Sequence, residues 1–123
     1  MPTEQVHLAQ ASHNKDLIVY LNAADPGFPD WVITVAFYAA IHLLEAFLAK
    51  RLGYHSTSHD TRDSAISKFS QLKPIYDDYS ELKNTCWASR YNTLYSNWKA
   101  PQVQDALTSL QNIERHLNSL PSK

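Results

Sequence analysis

The sequence predicts an all-α fold, an up-and-down bundle of four long helices with one additional short helix. Three observations predict it. Apolar residues recur at three- and four-residue spacing through most of the chain, the period of a helix with one face turned inward. Only two glycines, Gly27 and Gly53, stand among 123 residues, too few positive-φ positions for the hairpins of a β-sandwich or barrel. With 44% hydrophobic and 19% charged residues, the chain can fill one core, and its length suits one domain, residues 1–123.

The elements follow in order. Thr3 can cap a first helix in which Val6, Ala9, His13, Leu17 and Tyr20 or Leu21 form the expected inward stripe. The turn formers Asp25-Pro26-Gly27-Phe28-Pro29 reverse the chain, and Asp30 is the expected N-cap of the next helix. Trp31 to Leu52 is apolar around nearly its whole circumference, with Gly53 placed to end it in the left-handed conformation. Thr57-Ser58-His59-Asp60 matches a capping box, with Thr57 as the cap of a short third helix anchored by Ile66 and Phe69. Pro74 suits the first turn of a fourth helix, whose stripe is Ile75, Tyr79, Leu82 and Cys86 and which fades near Asn92. A loop with Tyr95, Trp98 and Lys99 leads to Pro101, which opens the last helix. Its face is Val103, Ala106, Leu107, Leu110, Ile113, Leu117 and Leu120, and Pro121 stops it.

Composition excludes several function classes. Eleven Lys+Arg against twelve Asp+Glu give a formal net charge of -1, so any nucleic-acid contact must be local rather than drawn by a global field. The single Cys86 can form no internal disulfide and no cysteine-rich zinc site, which fits a cytoplasmic location. Met1 to Gln10 lack the basic-then-apolar order of a signal peptide. The run from Trp31 to Ala49 is long enough to raise a membrane span, but His42 and Glu45 near its middle would be costly in hydrocarbon, so no membrane association is expected. No glycine-rich phosphate loop is present.

The informative residues are polar groups on apolar faces. In the second helix Tyr38, His42 and Glu45 fall within about 60° of one another. They need partners: either a hydrogen-bonded core network or a pocket. In the third helix His59 and Arg62 share a face with Ile66 and Phe69, and in the fourth the stripe returns to Arg90. Arg62 or Arg90 could pair with Glu45, leaving a second guanidinium for a phosphate or other anion. His55, His59 and Asp63 have four-residue spacings that suggest metal ligands, but the cap at Thr57 puts His55 outside the helix, and capping is the preferred reading. No metal and no cofactor are expected.

Three segments together resemble the HEPN superfamily of small helical bundles found in prokaryotic toxin–antitoxin and defence systems. They are Phe37-Tyr38-Ala39-Ala40-Ile41-His42-Leu43-Leu44-Glu45-Ala46, then His55 and His59 with Arg62, then Ala88-Ser89-Arg90-Tyr91. The resemblance implies an up-and-down bundle, a homodimer, and in many members a metal-independent ribonuclease whose motif is Arg, four to six residues, then His. Here Arg90 matches the arginine, while Tyr95, Ser96 and Asn97 stand where the histidine would fall. The resulting expectation is a nucleotide- or RNA-binding protein without that motif, with Tyr38, His42, Glu45, His59, Arg62, Arg90 and Tyr91 lining its site. The alternatives are a ribonuclease toxin with rearranged acid–base residues, controlled by a nucleotidyltransferase-like antitoxin, and a purely structural dimerisation module.

Overall fold

A computed structural model describes residues 3–23, 27–54, 56, 58–92 and 100–120. These are all-helical, with no strand among the described residues: α1 (Glu4–Ala23), α2 (Pro29–Leu52), α3 (His59–Lys68), a 3-10 segment (Ser70–Ile75), α4 (Tyr76–Trp87) continued by a π-helical turn (Ala88–Asn92), and α5 (Ala100–Ser119).

The apolar circumference of α2 is explained by its central place: α1, α4 and α5 all pack against it, and α4 also packs on α5. The four long helices alternate in direction. Glu4 at the start of α1 reaches Lys50 near the end of α2. Thr34 near the start of α2 meets Ser89, beyond the end of α4, and Asp78 near the start of α4 meets Asn112 late in α5. The core comprises Ile33, Phe37, Leu44 and Leu48 of α2 with Ile66, Leu72, Tyr79, Leu82 and Ile113, all at most 1% exposed. Burying each such aliphatic side chain stabilises the fold by about 1.5–3 kcal/mol. By length and composition α2 could cross a membrane, but 72% of its most apolar window is buried inside the protein, as in the core helix of a soluble bundle.

The expected inward stripe of α4 is buried in full, and in α5 Val103, Ala106, Leu110 and Ile113 are buried with Leu107, Leu117 and Leu120 half-buried. Gly53 ends α2 at φ 59°, with the amide of Tyr54 donating to the Leu48 carbonyl at 3.0 Å, the closure that an αL residue permits.

Four local expectations are corrected. The stripe Val6, Ala9, His13, Leu17 and Tyr20 of α1 faces outward, with Tyr20 80% and Val6 56% exposed, while Ala11 and Ile18 are buried and Leu21 half-buried. Both sides of α1 carry apolar residues, so periodicity alone does not choose between them. Cross-helix pairing favours the observed side: His7 meets His42, Lys15 meets Glu114 and Glu4 meets Lys50. Second, α2 begins at Pro29 rather than after Asp30, because proline suits the first helical turn. Third, Ser58 rather than Thr57 caps α3: its hydroxyl accepts the Thr61 amide at 3.2 Å while Thr61 Oγ1 accepts the Ser58 amide at 2.9 Å. Thr57 itself, His55, Tyr95, Trp98, Lys99 and Pro121 lie outside the described residues. Fourth, Pro74 sits inside the 3-10 segment, and α4 starts two residues later at Tyr76.

Candidate functional site

The polar row of α2 runs along one side of the helix as Thr34, Tyr38, His42 and Glu45, and each member meets a side chain from another element. Thr34 Oγ1 lies 3.3 Å from Ser89 Oγ. Tyr38 Oη accepts from Arg90 Nη1 at 2.8 Å. His42 Nδ1 lies 3.0 Å from His7 Nδ1, with the imidazole centroids 5.3 Å apart. Glu45 Oε2 accepts from Arg62 Nε at 2.8 Å and from the Ser56 hydroxyl.

The Glu45 end of this row is closed. The capping box at Ser58 fixes the start of α3, which sets His59 at the first position and Arg62 one helical turn later on the same face. The Arg62 and Glu45 side chains are only 12% and 7% exposed, so their attraction acts with little screening. Arg62 Nη1 lies 3.0 Å from His59 Nδ1. A guanidinium can only donate, so His59 Nδ1 accepts and its neutral ring carries the proton on Nε2. That ring also stacks on Phe37, with centroids 6.2 Å apart and planes at 19°. Asp63, four residues after His59, accepts from Tyr79 Oη at 2.6 Å and from the Lys83 ammonium, which ties α3 to α4.

Electrostatics favour neutral rings here. Burial lowers the pKa of His42 below its ordinary 6.5, and the charges of His7 and Arg62 add to this against an opposing Glu45. His59 is lowered by burial first, then by Arg62 and Lys83, with Asp63 and Asp60 opposing. Burial pushes the Tyr79 phenol well above its usual value, helped by its bond to Asp63. Burial likewise raises the Cys86 thiol, which leaves it an inert core group.

The Tyr38 end is open. A cavity of about 250 Å³ is lined by Asp30, Trp31, Thr34, Ser89 and Arg90. Trp31 is 54% exposed and Arg90 is exposed. The expectation that Arg90 continues the inward stripe of α4 is therefore corrected. The backbone changes to a π-helical turn at Ala88, whose extra residue per turn alters the register, and Ser89 takes the buried position, 7% exposed.

Of the expected site residues, Glu45, His59 and Arg62 form one bonded group and Tyr38 with Arg90 another; His42 is held by His7 between them. The two arginines do not share a carboxylate. Their anchors, Glu45 and Tyr38, are seven residues apart on α2, a rise of about 10 Å, so the expected single pocket is two stations on one row. The side chain of Tyr91 lies outside the described residues. Sequence reasoning missed His7, Ser56, Trp31 and the Asp63–Tyr79–Lys83 cluster as members of this face. Trp31 alone carried a signal, a large aromatic beside the N-terminus of the polar helix. Among the described residues no three or more His, Cys, Asp or Glu side chains converge as metal ligands. In comparisons with protein-family models, curated proteins and solved structures, no match to this chain is found.

Proposed function

We propose that this protein is a cytoplasmic HEPN-like helical domain that binds the phosphate group of a nucleotide or RNA at the open end of the α2 polar row. The observation that carries the reading is Arg90. Arg90 is exposed, is oriented by Tyr38 Oη, and lines a cavity together with the Trp31 indole, the Thr34 and Ser89 side chains and the Asp30 carboxylate, whose charge the guanidinium offsets. Guanidinium binds phosphate by charge-assisted hydrogen bonds, and an exposed Trp ring offers a stacking surface for an unpaired base. Arg62 takes a different role from the one its sequence position suggests: Glu45 and His59 occupy it, so it holds α3 on α2.

The test is fluorescence anisotropy with a labelled single-stranded RNA and, separately, a labelled nucleoside triphosphate. Arg90→Ala is expected to weaken binding about tenfold or more, and Trp31→Ala by a similar factor where a base stacks. Unlabelled inorganic phosphate competing equally well would reduce the ligand to a phosphate ion. Wild-type affinity in both variants, or no binding by the wild-type protein, overturns the reading.

A metal-independent ribonuclease is the second reading, and one observation favours it. The lowered pKa values of His42 and His59 keep two imidazoles neutral on this face, the form a general base needs. RNA cleavage in EDTA that disappears in His59→Ala would establish it, with a nucleotidyltransferase-like antitoxin as the natural controlling partner; intact RNA after prolonged incubation removes it.

We also propose a second copy of the chain as the partner on the outward stripe of α1. With a two-fold axis at His13, an antiparallel pair of α1 helices sets Ala9 against Leu17 and Val6 against Tyr20, small side chains against large ones. Asp16 then faces Gln10 rather than another carboxylate. Sedimentation velocity at high micromolar concentration should show a dimer that Leu17→Glu dissociates; a monomeric wild-type protein ends the proposal.

A further inference from the structure

We propose that the His7–His42 hydrogen bond is an acid-released latch: it holds the first turns of α1 on α2 while the pair carries one extra proton or none, and it opens when a second proton binds. The two residues stand 35 positions apart, and the fold brings their Nδ1 atoms to 3.0 Å with the imidazole centroids 5.3 Å apart. In this head-on arrangement one Nδ1–H donates and the other Nδ1 accepts. An imidazolium carries a proton on both nitrogens and can only donate.

The protons can be counted. In the neutral pair the donor ring has a bare Nε2, and the acceptor ring carries its proton on Nε2. The first added proton goes to the bare Nε2; the donor becomes a cation and the bond persists, now charge-assisted. The second must go to the acceptor's Nδ1, the atom that the bond occupies. Both rings then only donate, two like charges face each other, and the rings must separate.

The surroundings oppose that second charge. Burial lowers the pKa of His42, the charges of His7 and Arg62 add to this, and Glu45 opposes it while bonded to Arg62. On the elements packed around the pair, Glu4 of α1 meets Lys50 of α2, Lys15 of α1 meets Glu114 of α5, and Lys83 of α4 meets Asp63 of α3. His59 of α3 turns its Nδ1 to Arg62. The unfolded chain therefore takes up a proton at His42 more readily than the folded one, and the contribution of this group is full above pH 6.5 and declines below it.

The first turns of α1 are thinly packed beside the latch. Among its described residues Ala11 and Ile18 are the fully buried ones. A cavity of about 240 Å³ opens next to Glu4 and Leu8, lined also by Leu43 and Phe47 of α2 and Leu117 of α5. This end of the helix therefore depends on its polar links, His7 to His42 and Glu4 to Lys50, more than on buried apolar area. Loss of the first link lets it lift from α2, so that acid turns the covered strip of Leu43 and Phe47 into an open apolar surface.

The experiment is amide hydrogen exchange from pH 7.5 down to 4.5, corrected for the intrinsic pH dependence of exchange, on the full chain, on His7→Gln and on the exposed His13→Gln as a control. The glutamine side chain can still bond but takes up no proton. In the wild type and in His13→Gln, protection of the α1 amides should fall at least about tenfold relative to that of the α5 amides. In His7→Gln the further fall should be less than about twofold, whatever its protection at pH 7.5. Imidazole ¹⁵N NMR of the wild type needs no variant and remains decisive if His7→Gln is unstable: the pair should protonate in two separate steps, with α1 protection lost only in the lower one. An equal fall in α1 and α5, an undiminished fall in folded His7→Gln, or loss of α1 protection in the first step overturns the latch.

Discussion

The two ends of the α2 polar row use the same residue types for opposite purposes. At one end Arg62 is sunk against Glu45, with His59 bonded to the guanidinium and Ser56 to the carboxylate; at the other Arg90 is exposed beside a cavity and donates to Tyr38 at the outer edge of the row. A buried, satisfied guanidinium fixes how helices pack, and an exposed, oriented one is available to a ligand. Position along one helix, rather than residue identity, separates the cation that holds two helices together from the one proposed to meet a ligand.

The comparison breaks most visibly if the closed end carries little stability. Glu45→Ala leaves Arg62 buried without its carboxylate and is expected to cost about 3–5 kcal/mol, read as a lower urea midpoint at unchanged slope. The double variant Glu45→Met with Arg62→Leu should recover much of that loss, because it removes the desolvated charge together with its partner. A single-variant cost below about 1 kcal/mol would place this pair among ordinary surface ion pairs.

Tyr79→Phe is the next largest expected effect. The phenol is buried and donates to Asp63, which the Lys83 ammonium also holds. Removing the hydroxyl should cost about 1.5–3 kcal/mol, the range for a hydrogen bond to a charged group. It should also lower the protection of α3 amides from hydrogen exchange more than that of α5 amides.

The α3 imidazole supplies a pH test of the same end. Arg62, Lys83, Asp63 and Asp60 are the charged groups acting on His59, and its folded pKa lies below the ordinary 6.5, chiefly through burial. The unfolded chain therefore binds the proton more readily, and this group's contribution is full above pH 6.5 and lost as pH falls through 6.5 toward the folded value. Melting temperature should drop more between pH 7.5 and 5.5 in the wild type than in His59→Gln. Equal drops would show that His59 titrates as it would in the unfolded chain.

How much of this was legible in the sequence depends on how decisively each face is marked. Helix α5 has one apolar face and was readable residue by residue, as were the αL stop at Gly53 and the inward stripe of α4 up to Cys86. Helix α1 has apolar residues on both sides, so the choice was made by partners 35 to 99 residues away, His42 and Glu114, which no local pattern encodes. The row Tyr38, His42 and Glu45 was legible because each is polar on a helix otherwise built for a core. Its pairing was not: Ser56, His59 and Arg62 were near enough in sequence to propose, but His7 and the π-helical displacement of Arg90 depend on tertiary packing.

That displacement makes the smallest stability effect the most informative one. If Ser89 rather than Arg90 occupies the buried step after Cys86, Arg90→Ala truncates an exposed side chain, its bond to Tyr38 included, and should change unfolding free energy by no more than about 0.5 kcal/mol. Ser89→Leu, which forces a larger side chain beside Thr34, should cost about 1–3 kcal/mol by overpacking. A guanidinium on the core stripe would reverse the order, because truncating it would open a cavity that Leu at position 89, then facing outward, would not feel. The two variants measured side by side therefore decide where the turn of α4 places its charge, and with it whether the open end of the row has a cation to offer a phosphate.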